Sequence, residues 1–180
     1  MSKKALSILL ATAGLALAAT SAHAADGTIT ITGEITGQTC TISGNGGGKD
    51  FTVTLPGVST SALAAPGSTA ARTPFQIALS KCTPNSGNAS VYFEPGLTVN
   101  AGTGQLKNTN GTAENVEIGL LNKDGSNIKL GATQGNQKSQ VVPIKDGAAT
   151  LDYYAQYVAT GGAAGSGSVD TSVMYSVSYQ

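Results

Sequence analysis

Apolar and polar residues alternate along much of this chain with the two-residue period of strands that bury one face. The clearest run lies near the end, where Val173, Tyr175, Val177 and Tyr179 alternate with Met174, Ser176 and Ser178. Upstream, Phe51, Val53 and Leu55 alternate with threonines until Pro56-Gly57 stops them. Phe75, Ile77 and Leu79 alternate after Pro74 and lead into Cys82. Val91-Tyr92-Phe93 is closed by Pro95-Gly96, and Val116, Ile118 and Leu120 share one face. Asp124-Gly125 is predicted to turn the chain towards Ile128 and Leu130, and Asp146-Gly147 to join a strand at Val141–Ile144 to one at 151–158. Both residues of Asp-Gly tolerate positive φ, which a tight hairpin requires. No segment carries a long amphipathic helical stripe, so the pattern predicts an all-β sandwich. Residues 161–168 form a small-residue connector, and 62–71 fit either a loop or one helical turn. There is no internal repeat and no second domain.

The last alternating run ends the sequence, with nothing after it from which to build a following strand. A strand with one buried face must pair either with something already formed or with something supplied from outside. The other end of the chain is of a different kind. Lys3 and Lys4 precede an apolar run from Leu6 to Ala19, and Ala22-His23-Ala24 places small residues where a signal peptidase reads. The run is too short to span a bilayer and reads as a secretory signal peptide over residues 1–24, with a cut after Ser21 as the alternative. Of 180 residues, about 156 then remain, a size that suits one domain.

Export changes what the composition implies. Losing Lys3 and Lys4 leaves eight basic residues against ten acidic ones, and no basic patch to attract nucleic acid or an anionic membrane. Cys40 and Cys82 are the only cysteines. In an exported chain an even pair reads as one disulfide; two free thiols, one of them reactive, would lack a nearby histidine.

The single histidine, His23, leaves with the leader, so no imidazole remains to activate a serine or cysteine, and no His/Cys cluster suggests zinc. Glu114 and Glu117 are the nearest approach to a carboxylate pair, but three-residue spacing in a strand-and-turn region sets them on opposite faces, as at a solvated edge. Gly46-Gly47-Gly48-Lys49 resembles a phosphate loop but lacks the spacing, the hydroxyl residue and the helix, and reads as a turn. Asn88-Ala89-Ser90 and Asn110-Gly111-Thr112 match the glycosylation acceptor pattern at chance frequency, and Asn110-Gly111 reads as a turn. Tyr153, Tyr154 and Tyr157 would suit a sugar-stacking platform, but inward tyrosines in a late strand belong to a core. Catalytic, cofactor and metal residues are therefore expected to be none.

The mature start, Ala25-Asp26-Gly27-Thr28-Ile29-Thr30-Ile31-Thr32-Gly33-Glu34-Ile35, places Gly27, Ile29, Ile31, Gly33 and Ile35 on one strand face. It is either the first strand of the domain or a free, β-prone arm. Together with Cys40, with Cys82 after Phe75–Lys81, with Tyr154–Gly161 as penultimate strand, with penultimate Tyr179 and with Gly167 fourteenth from the end, this order resembles the pilin subunits of chaperone–usher fimbriae, the type 1 major subunit kind.

The resemblance implies an immunoglobulin-like sandwich lacking its final strand, divided into a signal peptide (1–24), a donor-strand arm (25–33) and a pilin domain (34–180). It implies a donor face of Gly27, Ile29 and Ile31. It also implies an acceptor and chaperone-binding segment comprising Gly167, Val173, Tyr175, Val177 and Tyr179. Implied partners are neighbouring pilin subunits, a periplasmic chaperone and an outer-membrane usher. The expected function is a structural fimbrial subunit, exported through the periplasm to the cell surface and supporting adhesion. A minor or adaptor pilin and a carbohydrate-binding adhesin are the alternatives, although a tip adhesin of this kind carries an additional N-terminal domain. The arm is short for the family, which leaves its pocket register open.

Overall fold

The computed structural model describes residues 29–33, 37 and 39–180, so the leader, Gly27 and the Glu34-Ile35 end of the arm lie outside the described residues. Met1–Glu34 and Ile35–Gln180 are separate units. In the first, Ile29 and Ile31 are each 89% exposed and belong to no strand.

The second unit is built from nine strands among the described residues: β1 (Thr39–Gly44), β2 (Thr69–Thr83), β3 (Gly87–Phe93), β4 (Val99–Asn100), β5 (Gln105–Lys107), β6 (Val116–Asn122), β7 (Val141–Ile144), β8 (Ala149–Ala159) and β9 (Tyr175–Tyr179). They form a six-stranded sheet in the order β1-β2-β8-β6-β5-β4 and a three-stranded sheet in the order β7-β3-β9. Every pairing is antiparallel.

Inward-facing residues of both sheets meet in one core, as alternation requires of a sandwich. Tyr153 of β8 has no exposed surface; it stacks on Phe75 of β2 at 5.5 Å and receives Phe93 of β3 edge-on at 5.6 Å. Such ring pairs contribute about 0.5–1.5 kcal/mol each beyond their buried area. The predicted face of β6 is buried in full: Ile118 and Leu120 enter the main core, while Val116 joins Leu63, Ala159 and Ala164 in a smaller cluster. Leu63 reaches that cluster from a 3₁₀ turn, Thr60–Leu63, so residues 62–71 hold a helical turn and then the start of β2. Of the three tyrosines, Tyr153 is core and Tyr157 packs against it, whereas Tyr154 faces outward beneath the Arg72 guanidinium.

Four expectations are corrected. Residues 51–55 keep the predicted alternation, and Phe51, Val53 and Leu55 rest against the core. They form no strand, because no described neighbour lies beside them to accept backbone bonds. Asp146-Gly147 does make the tight turn, with φ of 51° and 74° and reciprocal 2.9 Å bonds between Lys145 and Ala148. The strands it joins then part, β7 to the small sheet and β8 to the large one, so the turn is a sheet-to-sheet corner. Glu117 is not solvated. It is buried, and its two carboxylate oxygens accept from Asn100 Nδ2 and Thr103 Oγ1, each at 2.7 Å. The Asp124-Gly125 turn forms with only one bridge beyond it, Leu121 to Asn127, and Ile128 and Leu130 are buried outside any strand.

The outer flanks of the sheets differ in length and chemistry. The large sheet ends at β4, only two residues long. On the small sheet, Asn88 exchanges both its backbone bonds with Gln180, so opposite Asn88 the nitrogen of Pro143 faces outward, where it has no hydrogen to donate.

Candidate strand-acceptor edge beside the last strand

Among the described residues, strand β9 pairs with β3 on one side only. Reciprocal bonds join Asn88 and Gln180 at 2.8 and 2.9 Å, and Glu94 N donates to Met174 O at 2.8 Å. In an antiparallel ladder these bonds alternate, so the even-numbered residues of β9 turn their backbone groups towards β3. Tyr175, Val177 and Tyr179 therefore turn their N–H and C=O groups to the open side, and among the described residues none of these groups has a backbone partner beyond β3. The same residues point their side chains at the core, each half-buried.

Across the gap runs the segment 51–55. Phe51 lies 6.2 Å from Phe75 and 6.2 Å, edge-on, from Tyr175. It is seated against Gly44 at the end of β1, where any Cβ would collide with its ring. The Tyr175 hydroxyl donates to Lys49 O at 2.7 Å. Phe51 thus touches both sheets on the flank where β1 ends one and β9 ends the other. Between Phe51, Val53 and Leu55 on one bank and Val173, Tyr175, Val177 and Tyr179 on the other, the core is only half covered. Partial burial raises the Tyr175 hydroxyl above the usual phenol range, with Asp50 adding to the effect and Lys49 opposing it; burial alone raises Tyr179.

Not every residue expected at this edge lies on it. Val173 falls just before β9 and still packs on the core. Gly167 stands in the preceding connector, with φ of 152°, and a Cβ there would come within 2.5 Å of Ala113 N. Sequence reading missed that 51–55 forms the far bank of the gap. It also missed Asn108, Thr112 and Ser168, which tie the connector down; Asn110-Gly111 marked that loop only as a bend. Cys40 and Cys82 are joined in a disulfide between β1 and β2, with Cα atoms 4.1 Å apart. Among the described residues no group of three or more His, Cys, Asp or Glu could hold a metal ion, and no helix is long and apolar enough to cross a membrane.

The chain is an antiparallel two-sheet sandwich with its last strand at an open edge among the described residues. The crystal structure of the P pilus rod subunit PapA shares this fold with a TM-score of 0.62 at 24% identity, covering 78% of this chain and 99% of that one. In sequence, the family described as type-1 fimbrial protein, A, matches residues 55–180. The major fimbrial subunit SMF-1 of Stenotrophomonas maltophilia (strain K279a) is 47% identical over 171 residues, covering 92% of this chain and 99% of the relative. The F17 fimbrial protein of Escherichia coli is 43% identical, covering 92% and 94%. The chain belongs to the type-1 fimbrial protein family, and it is a structural fimbrial subunit rather than an enzyme.

Proposed function

We propose that this subunit polymerises by strand addition: the arm at 25–33 of one copy lies along the open side of β9 in the next. The observation that carries this reading is the row of Tyr175, Val177 and Tyr179, whose outward backbone groups border a half-covered core. An added strand at the usual spacing of about 4.8 Å would satisfy that row and cover the gap. Ile29 and Ile31, nearly bare in the arm, supply alternate side chains for the purpose. Burying each isoleucine contributes about 1.5–3 kcal/mol, and each backbone bond about 0.5–1.5 kcal/mol net. Several such bonds give an association that holds without covalent linkage. Gly27 then meets the shallowest part of the gap.

An unfilled edge of this kind is an aggregation hazard during export. The reading therefore includes removal of residues 1–24, capture of the β9 edge by a periplasmic chaperone, hand-over at an outer-membrane usher and a final place in a surface fimbria. Deleting residues 25–31 tests it. The expected result is complete loss of surface filaments by electron microscopy with folded subunit still recovered; filaments of normal length from the deleted chain would overturn it.

A further inference from the structure

Strand β9 is held along one side for only five residues, so its lengthwise position depends on what fixes the chain before it. That chain, residues 168–174, belongs to no strand. It is fastened to the loop at 108–113, and the fastening centres on Asn108. The Asn108 Nδ2 donates to Ala113 O at 2.9 Å and to Ser168 O at 3.0 Å. Its Oδ1 accepts from Gly111 N at 3.1 Å and from Asp170 N at 2.9 Å. Two donors and two acceptor sites are all that a carboxamide possesses, and every one is used. Around it, Ser168 N donates to Thr112 Oγ1 at 3.0 Å, Thr112 N to Ser168 Oγ at 3.2 Å, and Ala113 N to Ser168 O at 3.0 Å. The two backbones approach so closely that a Cβ at Gly111 would strike the Ser168 carbonyl, and one at Gly167 the Ala113 amide.

We infer that Asn108 is a positioning residue for strand uptake: its carboxamide sets the register in which β9 meets the incoming arm. Sliding β9 by one residue would turn Tyr175, Val177 and Tyr179 away from the core and reverse which backbone groups face the gap. β3 meets β9 over five residue pairs, Ala89–Phe93 against Tyr175–Tyr179, and the Tyr175, Val177 and Tyr179 side chains that oppose a slide are themselves only half-buried, so a hold on the chain before β9 adds to the register. The clamp at Asn108 opposes it from outside both sheets, and Thr98 Oγ1, donating to Ser172 O at 2.6 Å, adds a second hold downstream. This assignment rests on the strand-addition reading above.

The test uses the full mature chain, refolded with an excess of a fluorescent synthetic peptide of residues 25–35 and then chased with unlabelled peptide. Asn108→Ala is expected to release the peptide roughly tenfold faster than wild type, a difference of about 1.4 kcal/mol. Asn108→Asp, isosteric but with a carboxylate facing two carbonyl oxygens, should release it faster still. Ser168→Ala removes only the hydroxyl that accepts from Thr112 N, leaving the Asn108 bond to the Ser168 carbonyl, and should give about a threefold effect on the same clamp, which keeps the test open if the Asn108 variants fail to fold. Hydrogen exchange should show amide protection lost in β9 and retained in β2, β6 and β8. Release within twofold of wild type, or protection lost equally in all four strands, would overturn the positioning role. A wild-type chain that takes up no peptide would overturn the strand-addition reading itself.

Discussion

Strands β8 and β9 carry the same kind of pattern, tyrosines and aliphatics alternating with small or polar residues, and they meet opposite fates. β8 has β2 on one side and β6 on the other, and its Tyr153 is wholly enclosed. Among the described residues β9 has β3 alone, and its Tyr175 and Tyr179 remain half-buried over the same core. An alternating pattern specifies which face of a strand is buried; it says nothing about how many neighbours the strand has. On the strand-addition reading, that second property separates the part that makes the subunit stable from the part that makes it associate.

The contrast can be broken from the β8 side first. Tyr153→Ala should cost about 3–5 kcal/mol of subunit stability, since a large enclosed side chain leaves a cavity that its neighbours cannot fill. Chemical denaturation of the peptide-completed subunit would measure it, and a loss below about 1 kcal/mol would mean that the centre of the sandwich is not where Tyr153 sits. Replacing Cys40 and Cys82 with serine should cost about 4 kcal/mol on the chain-entropy account, the two residues lying 42 apart in sequence. An unchanged denaturation midpoint would contradict that.

On the β9 side, Tyr179→Ala should cost no more than about 1.5 kcal/mol in the subunit, because the ring is only partly covered. It should nevertheless lower chaperone-bound periplasmic subunit and shorten filaments. Equal effects of Tyr153→Ala and Tyr179→Ala on stability would erase the distinction between the strands. The smallest effect concerns alkaline pH. Burial raises the hydroxyls of Tyr153, Tyr157, Tyr175 and Tyr179 above their unfolded value. The unfolded chain then loses these protons first, so their contribution to stability is intact below about pH 10 and declines as pH rises through the folded values. Tyr153→Phe should flatten that decline in thermal melts between about pH 9 and 11; an unaltered slope would exclude Tyr153 as a contributor.

Much of this was legible in the sequence, for identifiable reasons. The period-two runs at Phe75–Leu79, Val116–Leu120 and Val173–Tyr179 each found a buried face, because side-chain alternation is a local property of the backbone. Asp146-Gly147 announced its turn correctly through residues that accept positive φ, yet could not announce that the flanking strands belong to different sheets. The Phe51–Leu55 run has the composition of a strand and lacks only a partner, which is a property of the surroundings. Glu117 was read as solvated because its spacing from Glu114 is local, whereas Asn100 and Thr103, which enclose it, arrive from another strand and turn. Asn108 gave no signal at all. Its role comes from meeting a connector about sixty residues further along the chain.

The two-residue β4 and the outward nitrogen of Pro143 have a consequence for the shape of anything this subunit builds. An edge two residues long offers too little main chain to recruit a newcomer, and a proline facing outward refuses one of the bonds a recruit would need. Those two edges are blunted, which leaves the flank where β1 ends one sheet and β9 the other. If subunits join by strand addition, one receptive flank and one arm make the molecule grow as a thread, each link admitting a single successor.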